Sequence, residues 1–138
     1  MSQTDLGGAA VLLDSDATRP IYVQIAQWLE NEILAGNIQP HERIYSQYQL
    51  ADMFNINPAT AAKGLNLLSD EELVYKKRGL GMFVAAHAKE HILSKRKNQT
   101  LQQLIRDLVR EASNLDVDES ELMQMVSQAI QERKDGAV

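Results

Sequence analysis

"SQYQLADMFNINPATAAKGLNLLSD", residues 46–70, holds the pattern that decides the fold. Ser46 is followed three residues later by Gln49, the spacing of a capping box, in which two residues satisfy each other's free backbone donors at a helix start. Leu50, Met53 and Phe54 give that helix an apolar side. Asn55-Ile56-Asn57 forms a turn. Asn57 can then cap a second helix whose first position is Pro58, where a missing N–H costs nothing. At about 100° per residue, Ala61, Leu65 and Leu68 of this second helix share one side. Ala59, Lys63, Asn66 and Asp70 lie opposite, with Thr60 and Leu67 at the edge.

Working outward, Ile21, Ile25, Trp28, Leu29 and Ile33 recur at 3–4 spacing and mark an amphipathic helix. Pro20 opens it and Gly36 closes it. Downstream, "LVYKK" (73–77) and "MFVAA" (82–86) flank "RGLG" (78–81), which reads as a β-hairpin. Residues 20–86 are therefore helix, helix, helix, hairpin, the layout of a winged helix-turn-helix. The fold class is mostly α with a small β-hairpin. Residues 1–19 have no sustained periodicity and contain a Gly-Gly pair, so they read as a flexible arm.

Residues 87–138 read as a helical region. Ile92 and Leu93 begin a helical pattern that Leu101, Leu104, Ile105, Leu108, Val109 and Ala112 continue. "SNLDV" (113–117) breaks it. Asp118 with Glu121 starts a second helix carrying Leu122, Met125, Val126, Ala129 and Ile130. Two amphipathic helices cannot make a domain core from each other alone. A second copy of the chain is the economical partner, with Leu101, Leu104, Ile105, Leu108, Leu122, Met125, Val126 and Ile130 as the dimerisation residues. The plainer alternative packs both helices onto the chain's own winged helix. Trp28 reads as core, and Met53, Met82, Met123 and Met125 as packing residues.

Composition narrows the function. The chain has 138 residues, a formal net charge of −5 and no cysteine. That excludes disulfides, thiolate catalysis and cysteine-ligated metals, and fits a cytoplasmic location. No apolar run approaches the roughly 20 residues of a membrane span. "LGGAAVLL" (6–13) has no basic residue before it, so it does not read as a signal peptide. The charge is segregated. Residues 76–97 carry seven Lys/Arg against one acid, and residues 111–138 carry seven acids against two bases. The plain reading is two solvated faces of opposite sign; the sharper one is a polyanion-facing module followed by an acidic region.

The polyanion this layout points to is double-stranded DNA, against the plainer reading of an ordinary surface helix and a solvated hairpin with a charged edge. The second helix of the pair needs an exposed face for base edges and backbone. Asn57, Ala59, Thr60, Lys63 and Asn66 offer one. In "KKRGLG", Lys76, Lys77 and Arg78 adjoin Gly79 and Gly81, so cations meet a turn whose backbone can approach a groove closely. His87 and His91 are four apart, a spacing two imidazoles can use for a metal. No third ligand is near, so no metal is expected. "GGAA" and "RGLG" lack the spacing of nucleotide loops. No catalytic grouping stands out, and neither an enzyme nor a cofactor is expected.

At this point residues 20–85 resemble the N-terminal domain of the GntR family of bacterial transcription regulators. The resemblance rests on P-I-Y-x-Q-I, the G-x-I-x-P turn at Gly36–Pro40, N-P-x-T, and K-R-G-x-G-M-F-V. The short two-helix tail is similar to the YtrA subfamily. Its members are dimeric, and often repress ABC-transporter genes beside their own. Ser46, Gln47, Tyr48 and Ala62 join the DNA-facing set, and the resemblance places Asn57, Ala59, Thr60, Arg78 and Gly79 at positions that approach DNA in the family. The chain departs from the family at Tyr48 and Ala62, where many members have arginine. It also departs at Tyr45, usually proline, and at His41, usually glycine.

The expectation is a homodimeric, sequence-specific DNA-binding regulator, most simply a repressor on a two-fold-symmetric operator. A winged-helix protein-interaction module is the alternative from another class. A regulator sensing a small-molecule effector, in a pocket at the junction or dimer interface, is a third.

Overall fold

The computed structural model describes Leu13 and residues 18–136. Apart from Leu13, Thr18 and Arg19, the arm expected over 1–19 lies outside the described residues. The chain divides into two compact units, residues 1–94 and 95–138.

In the first unit, α1 (Ile21–Leu34) follows Pro20, whose carbonyl accepts from the amides of Val23 and Gln24 at 3.1 and 3.2 Å. It ends at Gly36, with φ +81°, where the Asn37 amide reaches back to the Glu32 carbonyl at 2.9 Å. That bond satisfies a carbonyl the helix leaves free, and the left-handed position suits glycine. Next, α2 (Gln47–Phe54) begins with the expected capping box: Ser46 Oγ accepts from Gln49 N at 3.1 Å, and Ser46 N donates to Gln49 Oε1 at 2.8 Å. Asn55 closes it in the left-handed region, φ +54°. Then comes α3 (Pro58–Asp70).

The helices are held by one apolar cluster. Ile25 and Leu29 of α1, Leu50 and Phe54 of α2, and Ala61, Leu65 and Leu68 of α3 are all buried in it. Trp28 is half-buried at its margin, with Phe54 edge-on at 5.0 Å and Tyr45 tilted at 5.7 Å. Gly64 brings α3 close to α1. A Cβ there would lie 3.0 Å from Ile25 Cγ2 and 3.0 Å from the Tyr22 carbonyl oxygen.

The hairpin is β1 (Val74–Lys77) antiparallel to β2 (Gly81–Val84), with Val74 opposite Val84 and Lys77 opposite Gly81. The stretch between α1 and α2 is more than a linker. Residues 41–44 add onto the far side of β2: His41 N donates to the Val84 carbonyl at 2.7 Å, Val84 N to that of Glu42 at 2.9 Å, and Ile44 N to that of Met82 at 2.9 Å. Arg43 pairs there with Phe83. His41 sits at φ +68° and its Nδ1 is 2.8 Å from the Tyr75 hydroxyl. A hydrogen bond across the sheet thus accompanies a backbone conformation that normally favours glycine.

The helix α4 (Ala88–Lys95) starts before the Ile92 expected from periodicity. Its Ala88 and Ile92 are buried in the same apolar cluster. His87 falls in the turn before α4, not on it.

In the second unit a π-helical turn, Arg96–Thr100, leads into α5 (Leu101–Asn114), and α6 (Glu119–Lys134) follows a turn at 115–118. Asp118 caps α6 by accepting from Glu121 N at 2.8 Å. Among the described residues of this unit, Ala112 alone is buried. Met123 and Met125, expected as packing residues, are 60% and 55% exposed in the single chain.

Candidate nucleic-acid interface

The expected DNA-facing residues lie on three neighbouring elements. Along α3, Asn57, Ala59, Lys63 and Asn66 are exposed, while Thr60 and Ala62 are half-buried. Burial of Ala61, Gly64, Leu65 and Leu68 fixes this orientation, because turning the helix would expose them. At the start of α2, Tyr48 is 67% exposed, and Ser46 and Gln47 are half-buried. In the hairpin, Lys76, Lys77, Arg78 and Gly79 are exposed.

Ser46, Gln47, Tyr48, Ala62 and Asn66 line one open groove of about 370 Å³ between the helix pair and the base of the hairpin. Asn57, Ala59, Thr60 and Lys63 occupy the rest of α3, and Lys77 to Gly79 lead to the hairpin tip. Several residues that sequence reasoning did not assign to the DNA face also line the groove, Arg43, Ser69 and Met82 among them. Lys76, read from sequence as a wing cation, lines it as well. Periodicity could not find Arg43, because its position depends on pairing with β2.

The polar groups divide their work. Asn57 Oδ1 accepts from Ala59 N at 2.8 Å, so its acceptor serves the helix start. Bidentate pairing with adenine needs an amide's oxygen and nitrogen together. Asn66 is exposed, and among the described residues neither end of its amide is engaged. The first turns of α2 and α3 carry no acid. At the far end of α3 stand Asp70, Glu71 and Glu72. The helix dipole is positive at its N-terminus, so dipole and side chains both make the start of α3 the end that accepts a polyanion.

Two cations rest on aromatic faces. Lys63 Nζ lies 5.8 Å from the centre of the Tyr22 ring, and Lys77 Nζ lies 4.8 Å from that of Phe83. Such contacts are worth about 0.5–1 kcal/mol at exposed sites, so a phosphate can compete for either lysine. At the hairpin tip Gly79 has φ +79°, and a Cβ there would meet nothing within 4 Å. The chain thus needs glycine there for its backbone angle, and the space beyond is open. Leu80 beside it is 59% exposed.

His87 Nδ1 is 3.5 Å from Glu90 Oε2, both largely exposed. Among the described residues no group of three His, Cys, Asp or Glu side chains is placed to hold a metal ion. None of the described helices is long and apolar enough to cross a membrane.

Comparison with known proteins places this geometry. Residues 21–84 match the model of the bacterial regulatory proteins of the gntR family. The chain is 25% identical over 126 residues to the HTH-type transcriptional repressor YtrA of Bacillus subtilis, covering 91% of this chain and 96% of that protein. It is 35% identical over 74 residues to the repressor NagR of the same organism, of which it covers only 30%. Among solved structures it is similar to a GntR-family transcriptional regulator from Bacteroides thetaiotaomicron. That likeness has a TM-score of 0.67 and 33% identity, and covers 83% of this chain and 99% of the other.

Proposed function

This chain belongs to the gntR family of bacterial regulatory proteins, DNA-binding transcription regulators and not enzymes, and we propose that it is a homodimeric repressor acting on a two-fold-symmetric operator. It works in the cytoplasm, and its target is an ABC-transporter operon neighbouring its own gene, as in the YtrA-like subfamily. One observation carries the reading: a near-neutral helix face and a cationic hairpin stand side by side around one groove.

That arrangement separates affinity from specificity. Phosphate contacts fix a protein on the duplex, while base contacts choose the sequence. The helix α3 enters the major groove by its acid-free N-terminal end. Asn66 offers both ends of its amide to an adenine, and Ala59 and Thr60 approach base methyls or phosphates. Lys76, Lys77 and Arg78 take phosphates flanking the half-site, and Gly79 lets the hairpin backbone approach the duplex. The cationic hairpin favours DNA over the protein-interaction alternative, which the near-neutral helix taken alone would suit.

Dimerisation is supported by α5. Leu101, Leu104, Ile105 and Leu108 form a stripe at helical spacing, and each is between 45% and 58% exposed in the single chain. On α6, Met125 and Ile130 are exposed, and Leu122 and Val126 half-buried. So long an uncovered apolar stripe on a soluble helix signals a protein partner. A second copy covers it and sets two α3 helices about one turn of DNA apart, about 34 Å.

The test is selection of bound duplexes from a random pool, followed by fluorescence anisotropy. A two-fold-symmetric consensus is expected. Arg78→Ala should weaken binding to every duplex, while Asn66→Ala should change which sequence is preferred. Equal binding to the selected site and to random duplex would defeat the specific-regulator reading.

A further inference from the structure

The groove contains a cation that neither the helix pattern nor the hairpin motif supplies. Arg43 is carried by the segment that adds onto β2, opposite Phe83. Its flanking residues are fixed by the bonds from His41 N to the Val84 carbonyl and from Ile44 N to the Met82 carbonyl. The side chain lies over Gly81: a Cβ at that glycine would be 2.9 Å from Arg43 Nε and 3.5 Å from Cζ and Nη2. The backbone angle is what requires glycine at Gly81: its φ of +109° is one that side chains rarely adopt. The missing side chain leaves room for the guanidinium.

Arg43 is nonetheless exposed, and among the described residues its guanidinium has no carboxylate partner. It lines the same groove as Tyr48, Ala62, Asn66 and Lys76. Its charge thus stands where α3 and the hairpin meet. Lys76 of β1 lines the groove as well; the remaining cations of this face are differently placed: Lys63 rests on Tyr22, Lys77 rests on Phe83, and Arg78 begins the hairpin tip.

Resting on the DNA-binding reading above, we infer that Arg43 is a positioning residue that clamps one DNA backbone phosphate at the junction of α3 and the hairpin, with Gly81 as its seat. A planar guanidinium presents paired N–H donors that match two phosphate oxygens at once, and a pre-placed fork loses little freedom on binding. A phosphate held there lies on the strand running between the groove read by α3 and the groove met by the hairpin. The clamp sets how deeply α3 sits, without itself choosing bases.

The experiment measures binding of the full chain to its selected duplex by anisotropy across a salt series, for the wild type, Arg43→Gln and Arg43→Lys, with thermal melts alongside. Arg43→Gln should reduce the slope of log K against log salt by about one. Affinity near physiological salt should fall about tenfold. The order of preference among duplexes should stay the same. Arg43→Lys should keep the slope, because the charge remains, and lose part of the affinity, because the fork is gone. If Arg43→Gln melts early, Arg43→Lys decides: full wild-type affinity in that variant overturns the bidentate clamp. Wild-type slope and affinity in a folded Arg43→Gln overturn the clamp while leaving DNA binding intact. A changed sequence preference with an unchanged slope also overturns it, making Arg43 a base reader. Failure of the wild type to bind any duplex overturns the DNA reading and the clamp together.

Discussion

Replacing Gly64 by alanine sets two effects of known size against each other. Inside a helix, alanine is favoured over glycine by about 1 kcal/mol, because glycine loses more backbone freedom on folding. At this position the added methyl lies 3.0 Å from Ile25 Cγ2, 3.1 Å from Ile25 Cβ and 3.0 Å from the Tyr22 carbonyl oxygen. None of these can yield cheaply. Ile25 is fully buried, and the Tyr22 oxygen belongs to the backbone of α1. Overpacking of a tight core costs about 1–3 kcal/mol. Contact therefore outweighs propensity, and Gly64→Ala should destabilise by about 1 kcal/mol. In a domain of this size that lowers the melting midpoint by about 5 °C. The assay is thermal or urea unfolding at fixed protein concentration, since dimerisation would make the midpoint concentration-dependent. A double-mutant cycle with Ile25→Ala should show a coupling of about 1 kcal/mol, because the new methyl fills part of the vacated space. A raised midpoint for Gly64→Ala, or a coupling of zero, would refute the close approach of α3 to α1.

Further outcomes are expected at three positions. Ser46→Ala should cost about 1 kcal/mol of stability by removing the cap on Gln49 N. Ser46→Asp keeps a cap but places a carboxylate in the groove, so unfolding should change little while anisotropy shows weaker DNA binding. Glu72 has φ +60° at the end of α3; Glu72→Gly should relieve about 1–2 kcal/mol of backbone strain. Loss of about 0.5–1 kcal/mol to the freer unfolded chain leaves a small net gain in urea midpoint, which Glu72→Ala should not show. Ile105→Asp puts a charge in the apolar stripe of α5, so sedimentation equilibrium should report a dimer for the wild type and a monomer for the variant. Equal masses for the two would remove Ile105 from the interface.

Much of the fold was legible because it is written in local periods and end signals. The apolar spacing of α1, α2 and α3, the Ser46–Gln49 box, Asn57-Pro58, and the glycines at 36, 79 and 81 act within a few residues of one another. The exposed face of α3 followed from the same spacing. Each of these features needs only neighbours in sequence, which is why a family resemblance could be recognised from them.

Long-range placement was decided by the tertiary structure. That residues 41–44 add onto β2, and so bring Arg43 into the groove, depends on backbone pairing between segments far apart in sequence. No side-chain pattern announces such pairing. That Gly64 is a contact point, rather than a weak spot in a helix, depends on where α1 lies. That Ile92 belongs to the winged-helix core, while Leu101, Leu104 and Ile105 remain uncovered in the single chain, could not be read from periodicity: it reports that a helix has an apolar side, never what that side meets. The sequence by itself determined the elements, their caps and the chemistry of their exposed faces, because local backbone preferences and hydrophobic spacing act over single turns. The tertiary structure decided which of those faces became a groove, because only the packed chain brings distant residues within reach of one ligand.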